Sequence, residues 1–304
     1  MLQYLQSSKV DPRIAEQVAL GKDFWIRCER PNEGEIAELI SLGIDADLLS
    51  DALDPHEVPR VQLEDGWTYF ITRLPDTDND FNDFTTPILF AIGQNYITTV
   101  SRDPLGRLWQ PFIDKTEART SQRTTLFMLM IEAIVRQYQT RVTRINRQMR
   151  VATDDVRNLR ARDIATLTEY ERKLNDYLDA LQPTNTSIEK LLGGRLLPLR
   201  EDDKGLVEDL SVDLEQLISR CKSLLRTITN TRDSYRAVID TRLNETVRIL
   251  TVITLALTIP TMMAGLFGMN VALPGQDWPY TFWAIIGVSI LAAASLSYYF
   301  IKKR

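Results

Sequence analysis

The chain has 304 residues, 25% of them charged, with a formal net charge of −5 and a single histidine. That length holds one sizeable soluble domain plus extensions, and the acidic balance argues against nucleic acid as a partner, since a phosphate binder needs a basic face. Two cysteines far apart in sequence, Cys28 and Cys221, give no disulfide framework and fit a reducing compartment.

The opening residues, MLQYLQSSKVDPR, carry no basic stretch followed by an apolar core, so no signal peptide is expected. Over 1–118 the pattern is that of a cytosolic α/β sandwich with short connections. Phe24–Cys28 reads as a strand, Asn32 as the cap of a helix through Ile40 that Gly43 ends, and Asp45 as the cap of another through Leu53. Strand-like runs follow at Val58–Leu63, Trp67–Leu74, Ile88–Ile92 and Tyr96–Val100, the last two joined by the tight-turn signal Gly93-Gln94-Asn95. His56 lies in Asp54-Pro55-His56-Glu57. One histidine and two scattered cysteines make no zinc or catalytic site, and Asp54, Glu57 and Arg60 read as structural polar contacts at a helix–strand corner. The acidic run Asp76–Asp83 has the look of a calcium loop, but Phe81 stands where glycine is needed and Pro87 where the terminal glutamate belongs. Its plain reading is a solvated surface loop.

Residues 119–200 read as an antiparallel pair of long helices. One carries Leu126, Met130, Ala133, Val142, Ile145 and Met149 at helical spacing, and the other Ile164, Leu167, Leu174, Leu178 and Leu181, ending before Pro183. A stalk helix spans 201–248. No proline or glycine interrupts it between Gly205 and Pro260, so unbroken from Leu206 into the apolar stretch it is about 90 Å long. Such a helix needs copies of itself alongside. Two helices with a break near Thr229–Thr231 are the alternative.

Residues 249–270, ILTVITLALTIPTMMAGLFGMN, carry no charge. Ile249 to Phe267 alone covers about 28 Å as a helix, the thickness of a bilayer's hydrocarbon core. A short outer loop, 271–279, leads to a second span at 280–301, and 302–304 form a basic tail, Lys302-Lys303-Arg304. Arg242 and Arg248 before the hairpin and the tail after it put both termini in the cytoplasm by the positive-inside rule. Thr251, Thr254, Thr258 and Thr261 are spaced three, four and three apart, so they share one helix face, which Asn244 continues one turn before the span. Threonines in a membrane helix also bond back to their own carbonyls or join helices. A whole stripe leading to Asn270 is better explained by a wetted pore face. Two helices enclose nothing, so a pore demands more than two subunits.

Gly268-Met269-Asn270 ends the first of two C-terminal spans, a long charged helix precedes it, and a basic tail follows. In that layout the chain resembles the CorA family of divalent-cation channels, whose hallmark is a Gly-Met-Asn at the outer pore mouth. The likeness is most specific over 233–304 and looser at Leu53–Val61. It implies a homopentamer with a funnel-shaped cytosolic part in the plasma (inner) membrane, and Asn270 in a ring at the outer mouth. Carboxamide oxygens accept hydrogen bonds from the water shell of Mg²⁺, which the ion sheds reluctantly. Below the mouth, Thr261, Thr258, Thr254 and Thr251 relay the hydrated ion, and the family's narrow polar ring near the cytosolic mouth carries over to Asn244. Better-known members place bulkier apolar side chains such as Met on part of this stripe. An apolar dewetting gate then falls lower, at Val247 and Leu250. The resemblance also makes Asp233 one half of an intersubunit site that senses cytosolic Mg²⁺, with Asp78 of the acidic loop as the other half.

The expectation is therefore passive channel transport of hydrated Mg²⁺, with Co²⁺ and Ni²⁺ as further cargo, gated by cytosolic Mg²⁺. Mg²⁺ is both transported and regulatory. No organic cofactor and no enzymatic activity is expected, because no nucleophile elbow, phosphate-binding loop or nucleotide fingerprint is present. A divalent ion entering across about 100 mV gains roughly 4.6 kcal/mol, twice the single-charge value, which suffices for passive uptake. Two alternatives stand: a Zn²⁺ transporter of the same superfamily, and a non-conducting membrane-anchored coiled-coil scaffold. The partners implied are the chain itself, the lipid bilayer and divalent metal ions.

Overall fold

In the computed structural model the chain is described over residues 1–7, 13–77, 83–114, 119–153, 160–269 and 278–302. It divides into two compact units, Met1–Asn230 and Thr231–Arg304.

The first unit is built on seven strands: β1 (Leu2–Ser7), β2 (Ile14–Gln17), β3 (Phe24–Glu29), β4 (Arg60–Glu64), β5 (Trp67–Thr77), β6 (Asp83–Ile92) and β7 (Tyr96–Ser101). They form one sheet in the order β2-β1-β3-β7-β6-β5-β4, with β3 and β7 parallel and the other neighbours antiparallel. Side chains alternate between the two faces of a strand, and both faces are apolar. Ile26, Cys28, Tyr69, Ile71, Leu89 and Ala91 point to one face, where Leu39, Leu48 and Leu49 of α1 (Glu33–Ser41) and α2 (Ala46–Leu53) cover them. Trp25, Phe70, Leu74, Ile88 and Phe90 point to the other, under α3 (Gly106–Asp114), α4 (Arg123–Thr153), α5 (Ala161–Leu192) and the first part of α6 (Glu201–Phe267). The result is the expected α/β sandwich followed by long helices.

Short-range chemistry places the small helices. Asn32 and Glu35 form a reciprocal capping box, Asp45 accepts from the amides of Asp47 and Leu48, and Gly43 ends α1 at φ +92, where a side chain would be strained. Arg60 pairs with Asp51 and Glu57, and Asp54 accepts from the His56 amide, so this corner is held by polar contacts. Strands β1 and β2 and helix α3 were not expected. β1 is recruited by pairing with β3, twenty residues away in the chain, in the register Leu5↔Trp25. α3 contains both Gly106 and Pro111, yet forms because Leu108 and Trp109 are buried, Trp109 edge-on to Trp25 at 5.5 Å.

α5 does not end before Pro183; it continues to Leu192. Proline removes one donor and crowds the preceding turn, but hydroxyls around it bond to the helix: Thr184 Oγ1 donates to the Ala180 carbonyl at 2.8 Å and Thr186 Oγ1 to that of Gln182 at 3.2 Å. Beyond the proline, Ile188 and Leu191 are fully buried, and that packing outweighs the local cost.

α4 and α5 run antiparallel, as the Tyr138–Tyr177 ring contact and the Tyr170–Gln148 hydrogen bond show. α4 and α6 run parallel. Thr125 donates to Asp203 at their starts, and Asn146, Met149 and Arg150 share a cavity with Arg220, Leu224 and Thr227 further along. The buried apolar residues of α6 in this unit, Val207, Leu210, Leu214, Leu217, Cys221, Leu224 and Ile228, alternate three and four apart, the seam spacing of a coiled coil. The helix begins at Glu201, before Gly205, with Glu201, Asp202 and Asp203 in its first turn, where the helix dipole favours negative charge.

In the second unit α6 continues without the break considered at Thr229–Thr231, and α7 (Thr281–Lys302) follows.

Candidate ion pathway

The last part of α6 and α7 are both long and apolar enough to cross a membrane, and almost none of either apolar window is buried. An exposed apolar surface of this size has to meet lipid or protein. Aromatic residues in and just before α7 mark the two interfaces. Trp278, Tyr280, Phe282 and Trp283 are exposed at one end, Tyr298 and Tyr299 at the other, and the Lys302 ammonium sits 5.5 Å over the Tyr298 ring. Tyr280 and Tyr299 are about 28 Å apart along the helix, the spacing of the two aromatic belts of a bilayer.

Within the span α6 has three faces. Val252, Leu255, Ile259 and Met263 are half-buried, and the half-buried or buried positions of α7, Thr281, Ile285, Ser289, Ala292, Ala293 and Ser297, form a matching stripe, as two helices of a hairpin laid against each other would give. Ile249, Ile253 and Leu257 are exposed and apolar, suited to lipid. Thr251, Thr254, Thr258 and Thr261 are all exposed on the third face.

Every one of those threonines bonds back to its own helix. The hydroxyls of Thr251, Thr254, Thr258 and Thr261 donate to the carbonyls of Val247, Leu250, Thr254 and Leu257, each at 2.8 Å. The back-bonding geometry weighed from the sequence is therefore present along the whole stripe. It uses up each hydroxyl proton and leaves the oxygen lone pairs as the remaining polar valence.

At 3.6 residues per turn, Asp233, Asp240, Asn244, Val247, the four threonines and Gly265 fall within an arc of about 100°, with Leu250 at its border. Val247 and Leu250 are exposed at 52% and 62%, and Asn244 is exposed as well. Asp240 was not anticipated. It lies one turn below Asn244, and extending the same spacing by one step would have found it. Asp233 is exposed and lies 3.6 Å from Arg236 of its own helix. At the other end the Gly268 amide donates to the Ala264 carbonyl at 2.9 Å, and a Cβ on Gly268 would lie 3.1 Å from that same oxygen, so any side chain there would crowd the turn that closes the helix. Met269 follows, exposed. Asn270 and Asp78 lie outside the described residues.

Among the described residues no group of three or more His, Cys, Asp or Glu side chains is placed to hold a metal ion. Burial pushes the thiols of Cys28 and Cys221 up to about 12, so neither is a thiolate at neutral pH. A cavity of about 930 Å³ in the first unit sets Arg30, Arg141 and Arg144 beside Asp76 and Asp103.

A family model described as CorA-like Mg²⁺ transporter protein matches residues 22–304. The chain is 25% identical to the cobalt/magnesium transport protein CorA of Methanocaldococcus jannaschii, over 91% of this chain and 89% of that one. To the protein of the same name from Thermotoga maritima it is 18% identical, over 92% and 82%. The solved complete structure of the CorA magnesium transporter from Methanocaldococcus jannaschii superposes with a TM-score of 0.84 at 21% identity, covering 100% of this chain and 98% of that one.

Proposed function

Since the chain belongs to the CorA-like Mg²⁺ transporter family, a family of transporters and not of enzymes, we propose that it is a passive channel carrying hydrated Mg²⁺, with Co²⁺ and Ni²⁺ as further cargo, into the cytoplasm. It works as a pentamer in the plasma membrane with both termini inside. The domain plan is the one drawn from the sequence: a cytosolic body at 1–118, a helix pair at 119–200, a stalk at 201–248, a pore-lining span at 249–270 and an outer span at 280–301.

The observation that supports this most directly is the uncovered hydroxyl face of α6. A symmetric ring of these helices turns the face inward, its apolar face to lipid and its third face to α7. A water-filled axis lined by acceptors then runs roughly 15 Å from Thr251 to Thr261. The outward-pointing hydrogens of a hydrated cation find acceptors along it, so the ion keeps its shell. Asn270 forms the outer selectivity ring, with Gly268 and Met269 setting its turn. Asn244 lines the inner mouth, where Asp240 raises the local cation concentration. Val247 and Leu250 form the gate.

Asn270→Ala is the direct test. It removes the carboxamide ring and leaves the helix almost undisturbed, so Mg²⁺ uptake into proteoliposomes should collapse while the oligomer still assembles. Wild-type flux from an assembled variant would reject the ring. Measuring Mg²⁺ and Zn²⁺ side by side in the wild-type sample decides the cargo, and no conductance for either leaves a scaffold.

A further inference from the structure

β3 and β7 run parallel, with Glu29 beside Ser101 at their carboxyl ends. The chain leaves those two ends toward opposite faces of the sheet. After β3 it forms α1, whose Leu39 packs on the face of Ile26 and Cys28. After β7 it forms α3, whose Leu108 and Trp109 pack on the face of Trp25. Neighbouring parallel strands whose connections part in this way leave a crevice beyond their carboxyl ends, and in α/β sheets that crevice is where ligands bind.

The cavity of about 930 Å³ opens there. Arg30 follows β3 by one residue, Asp103 follows β7 by two, and both line it. Asp76 near the end of β5 and Arg141 and Arg144 of α4 line it as well. Its volume is that of a small-molecule site, and its chemistry is divided. An arginine fork matches the oxygens of a phosphate. Arg30 and Arg144 are exposed, and Arg30 holds Asp103 loosely, at 3.8 Å. Arg141 is steadied by the carbonyls of Pro75 and Asp76, each at 3.3 Å. Two carboxylates in the same space repel a ligand that is anionic throughout, and they accept hydrogen bonds from hydroxyl or amino groups. Leu105 and Leu108 are buried and make part of the wall apolar. A phosphate, hydroxyl and amino donors and a flat apolar ring are together the make-up of a nucleotide.

We propose that the crevice beyond β3 and β7 binds a nucleoside phosphate. The phosphate lies on the arginines, and the sugar and base lie toward the two aspartates and the apolar wall. The crevice is a binding site, and no reaction is assigned to it. This goes beyond the transport reading and takes nothing from it.

Equilibrium dialysis of the full chain in detergent against labelled ADP tests it, with EDTA present so that no metal bridges ligand and protein. ADP should bind saturably. Arg30→Gln and Arg144→Gln should each weaken binding about tenfold, the loss expected when a hydrogen bond to a charged group is removed. Both side chains are exposed, so neither change should cost the fold. Arg220→Gln, at the separate cavity between α4 and α6, should leave the affinity as it is. No saturable binding, wild-type affinity in both crevice variants, or an equal loss in Arg220→Gln would overturn the site. Inorganic phosphate or glucose 6-phosphate competing as well as ADP would overturn the nucleoside as part of the ligand, and adenosine competing as well would overturn the phosphate. No ion flux enters the readout, so a failure here and a failure of the transport reading are separate results.

Discussion

A hydroxyl in a membrane helix has one proton and two lone pairs to place, and the four stripe threonines place them alike. Each proton goes to the carbonyl one turn back, so the stripe accepts hydrogen bonds and donates none outward. Such a face is matched to a cation that keeps its water, because the first hydration shell points its hydrogens away from the ion. The same back-bonding lets a threonine sit quietly against lipid, so geometry at the single residue serves both situations. What separates them is the effect of removing the oxygen. Thr258→Val keeps the branched shape and takes away the hydroxyl, which is both the outward acceptor and the back-bond to the Thr254 carbonyl. One lost hydrogen bond is worth about 1 kcal/mol, or about a fivefold drop in flux if the ion meets this position at its highest barrier. Thr258→Ser should conduct like the wild type. Mg²⁺ flux per assembled oligomer in liposomes measures both, and equal flux in the valine variant would take Thr258 off the pathway.

At the scale of the element, α6 changes partners along its length. Its buried apolar seam ends at Ile228, and the same spacing continued gives Thr231, still buried, then Tyr235 and Val238, half-buried, and Arg242 and Glu245, which cannot sustain a long dry contact. A different stripe, Ile239, Leu243, Val247 and Leu250, is exposed along the stretch that follows. A helix offering a fresh apolar stripe where its intrachain seam gives out is prepared for neighbouring copies of itself. On the proposed reading those side chains lie near the pore axis and close a constriction by excluding water. Leu250→Ser should therefore wet it and raise basal Mg²⁺ flux several-fold at high internal Mg²⁺, measured with an internal Mg²⁺ dye; unchanged flux would move the gate toward Asn244. Much of this helix was legible in advance, because its period and its freedom from proline up to Pro260 are local signals. α1 and α2 were equally legible from their caps. β1 and β2 were not, since nothing within Leu2–Ser7 marks a strand until β3 pairs with it. Pro183 misled because the packing of Ile188 and Leu191 on the far side is invisible in the local pattern. Asp240 was missed although its signal was present, four residues before Asn244 on the same face.

For the whole molecule, the proposed regulation acts between subunits, where the buried apolar seam of α6 has ended, and Asp233 stands just past that point. It is 63% exposed beside Arg236, itself 75% exposed, at 3.6 Å. A pair so open to water contributes little to stability and does not lock the carboxylate away. It does place a competing cation beside any metal that Asp233 binds. On the proposed reading, Asp233 of one subunit and Asp78 of the next share a Mg²⁺ that relieves their mutual repulsion. An ion that closes its own channel must bind the closed arrangement more tightly than the open one. Two variants then move the response in opposite directions. Asp233→Ala, alone or with Asp78→Ala, removes ligands, so it should weaken Mg²⁺-dependent protection of the stalk against protease and leave the channel conducting at Mg²⁺ levels that silence the wild type. Arg236→Gln removes the competitor, so protection and closure should appear at several-fold lower Mg²⁺. Limited proteolysis across a Mg²⁺ titration, paired with flux, reads both. A structural role for this stretch of α6 would shift both variants the same way. Wild-type titrations in the double aspartate variant would reject the sensor and return the acidic run between β5 and β6 to a solvated turn.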